Sequence, residues 1–282
     1  MSDKFLFISD PWYPDYMSDA IFHGIRSILN ENLIDAKKIN FMYKDYPNLK
    51  SLYGRGFTLY GKLENLEIDR ENIEEKIKNR YFKGIIYGSC LRKLEYLGIV
   101  KENYKKEEVI FIDGEDQPVI NYDLINYGLY FKRELQKEIE GVHPIQFAIP
   151  EESIIKYKPE KVQYFGTVIP YNLKTYVFNS EENYYEDYAK SYFGMTCKKQ
   201  GWDCLRHYEI MMNYCFPYFK DLESCPPLTM FRMPKKLIIK AMEELHSNIF
   251  DYYEDFMDEL MFDLTHKLTT KKMAQYLLEF IP

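Results

Sequence analysis

Residues 198 to 227, KKQGWDCLRHYEIMMNYCFPYFKDLESCPP, concentrate more side chains able to do chemistry than any other stretch of the chain. Lys198 and Lys199 lead into Gly201-Trp202-Asp203, Arg206 and Glu209 stand three residues apart, and an apolar run ends at Asp221. As a helix from Gly201, the segment places Trp202, Arg206 and Glu209 on one stripe at 100° per residue. Cys204, Leu205, Tyr208, Met211 and Met212 form a broader apolar face beside that stripe. Arg206 and Glu209 then stand at the edge of the buried face, within reach of a ligand. A helix N-terminus preceded by two lysines suits a diphosphate. A carboxylate two turns in can accept hydrogen bonds from ribose hydroxyls. The competing reading is a surface Arg–Glu pair with solvated lysines.

Two other acidic clusters carry chemical potential. In IDGEDQP, Asp113, Glu115 and Asp116 close a strand, and Asp113 or Asp116 could act as general base toward an acceptor hydroxyl. Lys132 and Arg133, in GLYFKREL, could equally neutralise them. His143, in GVHPIQFAIP, is a weaker base candidate, and His23 reads as a core or surface histidine. The loop FISDPWYPDYMSD brings Trp12, Tyr13, Asp15 and Asp19 together after the first strand, a combination suited to stacking and binding a sugar. It could also be an apolar lid.

Five cysteines, four of them near His207, raise the question of a metal. They form no C-x-x-C pair, so buried free thiols are the expectation. Glycine-rich phosphate loops, G-x-S-x-G and Asp-x-Asp are all missing from the sequence, so no metal-bridged diphosphate is expected. A net charge of −7 argues against a basic nucleic-acid face. No apolar run approaches a membrane span, and the N-terminus reads as a strand rather than a signal peptide, which makes the expected location cytoplasmic.

The elements that must position these residues alternate. Strands are expected at 4–10, 33–43, 82–89 and 107–116, with helices at 18–30 (Ser18 as N-cap), 72–80 and 91–104, and a hairpin at 54–63. Continuous apolar strands between helices signal a buried parallel sheet. Residues 141–160 carry three prolines and no helical period, and mark the boundary between a first domain (1–150) and a second (151–282). The second half resumes with strands at 161–169 and 174–180 and ends in a helical stretch beginning at Pro234. Residues 220–229 follow a short strand, at the ligand edge of an open α/β sheet.

With these residues in place, SYFGMTCKKQGWDCLRHYEIMMNYCFPYF (191–219) resembles the C-terminal domain of GT-B-fold glycosyltransferases, in particular the bacterial and phage group of CgeB-like and exostosin-like sequences. Ser191, Gly194, Thr196, Gly201, Trp202, Asp203, Arg206, Glu209 and Pro217 fit the family pattern, whereas the glycine common before the proline is absent. The resemblance is specific over about 185–235. It implies an α/β fold of two Rossmann-like domains facing a central cleft, with a C-terminal helical segment whose last helix crosses back to the first domain. It also implies a nucleotide-diphosphate-sugar donor held by Thr196, Lys198, Lys199, Trp202, Arg206 and Glu209, with Glu209 on the ribose and Lys199 and Arg206 on the diphosphate. Trp12, Tyr13 and Asp15 fall on the acceptor side. The expected activity is transfer of a sugar to an acceptor without a cofactor or metal. The alternatives are a non-catalytic nucleotide or sugar binder on the same fold, and a phage-type DNA-base glycosyltransferase, which the net charge disfavours without removing nucleic acid as an acceptor.

Overall fold

The computed structural model describes residues 3–52 and 58–282, apart from the side chains of 245–251. Six parallel strands form the first sheet: β1 (Phe5–Ile8), β2 (Leu33–Asp35), β3 (Gly84–Tyr87), β4 (Val109–Asp113), β5 (Leu129–Lys132) and β6 (Val142–Pro144). Their order is β2-β1-β3-β4-β5-β6. Chain direction across the sheet reverses between β1 and β3, the switch point at which open α/β sheets hold ligands.

Alternate side chains of these strands enter two cores. Phe5, Phe7, Ile86, Ile110, Ile112 and Phe131 point to one face. Leu6, Ile8, Ile85, Tyr87, Phe111 and Tyr130 point to the other, under α2 (Ile73–Lys78), α3 (Leu97–Asn103) and α4 (Tyr122–Ile125). Burial on both faces explains why the strands read as unbroken apolar runs. The second half carries a three-stranded parallel sheet, β7 (Gln163–Phe165), β8 (Ser191–Met195) and β9 (Phe216–Tyr218), in sequential order. With it go α5 (Glu181–Ala189), α6 (Leu205–Met212) and the 33-residue α7 (Lys235–Lys267). One hydrophobic cluster runs from the large sheet through Trp202, Tyr208 and Phe216 into α7, so the two halves share a core. Among the described residues, no helix is long and apolar enough to cross a membrane.

Several expected elements are shorter or displaced, each for a local reason. The first helix, α1 (Tyr16–Leu29), is capped by Asp15, not Ser18; the Asp15 carboxylate takes the N–H groups of Met17 and Ser18. The strand at 33–43 stops at Asp35, whose buried carboxylate accepts the Ile39 N–H and turns the chain. The helix at 91–104 starts only at Leu97, because Tyr96 has a left-handed backbone (φ 64°). Residues 174–180 form a short 3-10 turn and loop, closed by Thr175 hydroxyl bonds to Ile169 and Asn172, not a strand. The break at 141–160 contains β6, the edge strand of the first sheet. Of the hairpin at 54–63, residues 54–57 lie outside the described residues, 58–61 are turns, and Leu63 makes an isolated parallel bridge to Tyr43.

After α7 the chain breaks at Leu268–Thr269, and α8 (Thr270–Leu278) lies on α1 of the first half. The approach is close enough that a Cβ on Gly24 would stand 2.0 Å from the Thr270 carbonyl oxygen. Beside it the buried His23 ring bonds Thr270 Oγ1 through Nδ1 (2.9 Å) and Glu152 Oε1 through Nε2 (3.0 Å). Burial pushes the Glu152 carboxyl up, but the His23 hydrogen bond and charge, with Lys271, outweigh it and hold the group at about 2. A depressed carboxyl contributes stability that is present above its unfolded value, near 4.5, and is lost as pH falls toward 2. Glu152→Gln is therefore expected to lower stability at neutral pH and to flatten the acid limb of the stability–pH curve, its difference from the wild type closing as pH falls from about 4.5 toward 2. Urea titrations across the window check it.

Candidate functional site

The Gly-Trp-Asp triplet departs most from expectation. Helix α6 begins at Leu205, with Cys204 at its N-cap making no side-chain capping bond. Gly201 and Trp202 form a bend and Asp203 lies outside any regular element, so the helical stripe that linked Trp202 to Arg206 and Glu209 does not exist. The reason is a carboxylate from the other half. Glu134, just beyond β5, accepts the N–H groups of Trp202 (3.0 Å) and Asp203 (2.9 Å). Arg133 beside it donates to Glu134 Oε1, to the Gly114 and Asp203 carbonyls and to Asp116. Asp203 accepts the Phe147 N–H and the Tyr208 hydroxyl. Burial raises the Asp203 carboxyl to about 7 against the lowering effect of Arg133. Gly201 has no room for a side chain: a Cβ would meet Glu134 Oε1 at 2.5 Å and Asp116 Oδ1 at 2.9 Å. The triplet fastens the second half to the C-terminal edge of the first sheet.

The acids proposed as general bases are engaged in the same region. Asp113 is 1% exposed, ion-paired to Lys132 (2.8 Å) and bonded by the Tyr130 hydroxyl (2.6 Å). Asp116 pairs with Arg133. The structure thus takes the neutralised alternative for both. His143 lies between the rings of Phe131 and Phe280, on the side covered by α8, and burial lowers its pKa. It does not join the acids.

Two ligand edges remain. At the switch point of the large sheet, Asp15 receives the Ser89 hydroxyl and lies 3.4 Å from Arg92, which also binds Glu115. Trp12 and Tyr13, each 72% exposed, stand in the same loop. Trp12, Tyr13 and Asp15, expected on the acceptor side, share this loop, and Ser89 and Arg92, after β3, stand beside Asp15.

At the edge of the small sheet, β8 and β9 deliver Thr196, Cys197 and Asp221 next to the start of α6. Thr196 and His207 are both buried. His207 Nε2 donates to the Trp202 carbonyl, so Nδ1 accepts from the Thr196 hydroxyl, and burial holds the ring near 4, neutral. Lys198 lies 5.0 Å from the Trp202 ring and Lys199 is exposed. Arg206 is 8% exposed. Its Nη2 donates to the Tyr176 hydroxyl (2.9 Å), its guanidinium lies 5.3 Å from that ring, and its Nε has no hydrogen-bond partner. Among the described residues no carboxylate lies within 4.0 Å of it.

A buried guanidinium without an anion is costly. Here it sits in the first turn of a helix whose N–H groups also favour negative charge. Glu209, one turn on, is 7% exposed rather than at an open edge. Burial raises its pKa, and the hydroxyls of Thr58 and Tyr184 bond its two oxygens. Glu134, Thr58, Tyr176 and Tyr184 had no motif to announce them. Only the tyrosine-rich run ENYYEDY hinted at the last.

A comparison with protein-family models, curated proteins and solved structures returned no match. The site is read from its own geometry.

Proposed function

We propose that this protein is a glycosyltransferase of GT-B type, moving a sugar from a nucleotide-diphosphate donor held by the second half to an acceptor presented by the first. The observation that carries the reading is Arg206: a buried cation with an unpartnered Nε and, among the described residues, no carboxylate within 4.0 Å, in the first turn of α6 at the edge of a parallel sheet. A diphosphate supplies the missing anion, and its developing charge on departure is what such a cation stabilises. Lys199 flanks the same edge. Glu209 offers a carboxylate already bonded by hydroxyls, the chemistry that a ribose requires. The acceptor belongs at the switch point, over Trp12 and Tyr13 and against Asp15, with Ser89 and Arg92 beside it.

The sealed Asp113–Lys132 pair favours a second reading, donor binding without transfer, since it removes one base candidate. Hydrolysis or transfer from a bound nucleotide-sugar separates the two.

A nucleoside diphosphate at a hundredfold excess over its Kd is expected to stabilise the fold by about 2.7 kcal/mol. The effect should persist in EDTA, because side-chain cations and a helix N-terminus supply the electrostatics. A melting screen of uridine, guanosine, adenosine, cytidine and thymidine diphosphates checks this. No shift with any of them at millimolar concentration overturns the reading.

A further inference from the structure

Two buried carboxyls without a basic partner in salt-bridge range, one on each half, are gripped by a single turn. Glu209 on α6 accepts the Thr58 hydroxyl on Oε1 and the Tyr184 hydroxyl on Oε2 (2.9 Å). Asp19 on α1 accepts the Tyr60 hydroxyl on Oδ2 (3.0 Å), and its Oδ1 has no partner. The Thr58 hydroxyl also meets the Tyr185 hydroxyl at 2.5 Å. The Tyr185 hydroxyl also bonds Glu181, so Glu181, Tyr185, Thr58 and Glu209 form one hydrogen-bonded chain. Glu181 holds the turn from outside, taking the Thr58 N–H (3.1 Å) and the Lys62 ammonium (3.2 Å).

Thr58 is fully buried with φ at 71°. A β-branched side chain is poorly suited to that left-handed backbone. Glycine or asparagine would adopt it with less strain, but neither would bring a hydroxyl to Glu209. The turn is held by its contacts against its own backbone preference, and release from Glu209 relieves strain.

We propose that the Thr58 hydroxyl occupies the place of a ligand hydroxyl on Glu209, so that a vicinal diol binds by displacing the Thr58–Lys62 turn. In the reading above, on which this inference rests, that diol is the ribose of the donor. Thr58 is then a positioning residue that sets donor affinity. The binding-competent state is the one with the turn released, and the measured Kd is the intrinsic one divided by the fraction of molecules in which the turn is released.

The test titrates the wild type, Thr58→Val and Thr58→Ser with the five nucleoside diphosphates, and follows amide hydrogen exchange at Leu59–Lys62 in the wild type. Valine keeps the shape and loses the hydroxyl bond to a charged group, so affinity is expected to rise about tenfold; serine keeps wild-type affinity. In the wild type, nucleotide is expected to speed exchange at Leu59–Lys62, where a merely structural turn would be slowed or unchanged. Equal or weaker binding by Thr58→Val, or slower exchange on binding, overturns the displacement while leaving the donor site standing. Absence of binding by both the wild type and Thr58→Val overturns the donor reading together with this one. The exchange measurement decides the matter if the valine variant fails to fold.

Discussion

Arg206→Met is expected to lower nucleoside-diphosphate affinity by about a hundredfold while leaving the free protein as stable as the wild type, or more so. Loss of two charge-assisted hydrogen bonds to a phosphate, at about 1.5 to 3 kcal/mol each, amounts to two decades of affinity at the lower end of that range, at about 1.4 kcal/mol per decade. The stability side has the opposite sign. The guanidinium is buried with a phenol as its hydrogen-bond partner and an orphaned Nε, so folding desolvates a charge that no carboxylate within 4.0 Å pairs among the described residues. An unbranched apolar side chain of similar length removes that cost and fills the same space. Should Arg206 serve only to anchor Tyr176, the pattern reverses: melting temperature falls and nucleotide affinity stays. Arg206→Lys, which keeps the charge but loses the planar fork, is expected to fall between. Calorimetric titration and thermal melts on the same preparations separate these outcomes.

Glu134→Ala is expected to destabilise the protein by about 3 kcal/mol or more, a fall of roughly 5 to 10 °C in melting temperature. The variant strips the buried N–H groups of Trp202 and Asp203 of their acceptor and deprives the buried Arg133 of one of its two carboxylates. Gly201→Ala attacks the same joint by steric means, since its Cβ has no space beside Glu134. Both effects should appear without ligand. A triplet whose role is to touch the donor would instead leave the melting temperature in place and weaken nucleotide binding. Denaturant unfolding of the two variants, with circular dichroism of the native state, distinguishes a loosened joint from a lost ligand contact.

The sequence by itself determined the local elements whose evidence is local. Unbroken apolar runs at 84–87 and 109–113 are what a strand buried on two faces requires, and both are strands of the parallel sheet. The apolar face of Leu205, Tyr208, Met211 and Met212 needed only helical periodicity, and all four are buried. Pro234 marked a helix start, and it stands at the N-cap of α7, just before the first helical residue, where its missing N–H breaks no intrahelical bond. The pairing of Lys132 and Arg133 with the acids at 113–116 was one of two readings, since charge alone does not tell a base from an ion pair.

Tertiary structure decided everything that depends on a partner distant in sequence. Gly201–Asp203 stays outside the helix because Glu134, 68 and 69 residues earlier, claims the N–H groups of Trp202 and Asp203, and no periodicity within the segment encodes that. Glu209 is buried, not lining an edge, because Thr58, 151 residues away, and Tyr184 close over it. Arg206 keeps its position at the helix start but is enclosed by Tyr176, from a stretch that read as a strand. Helical phase assigns a side chain to a face of its own helix. What covers that face, and so whether a charge there is solvated, paired or stranded, follows only from how the two sheets pack.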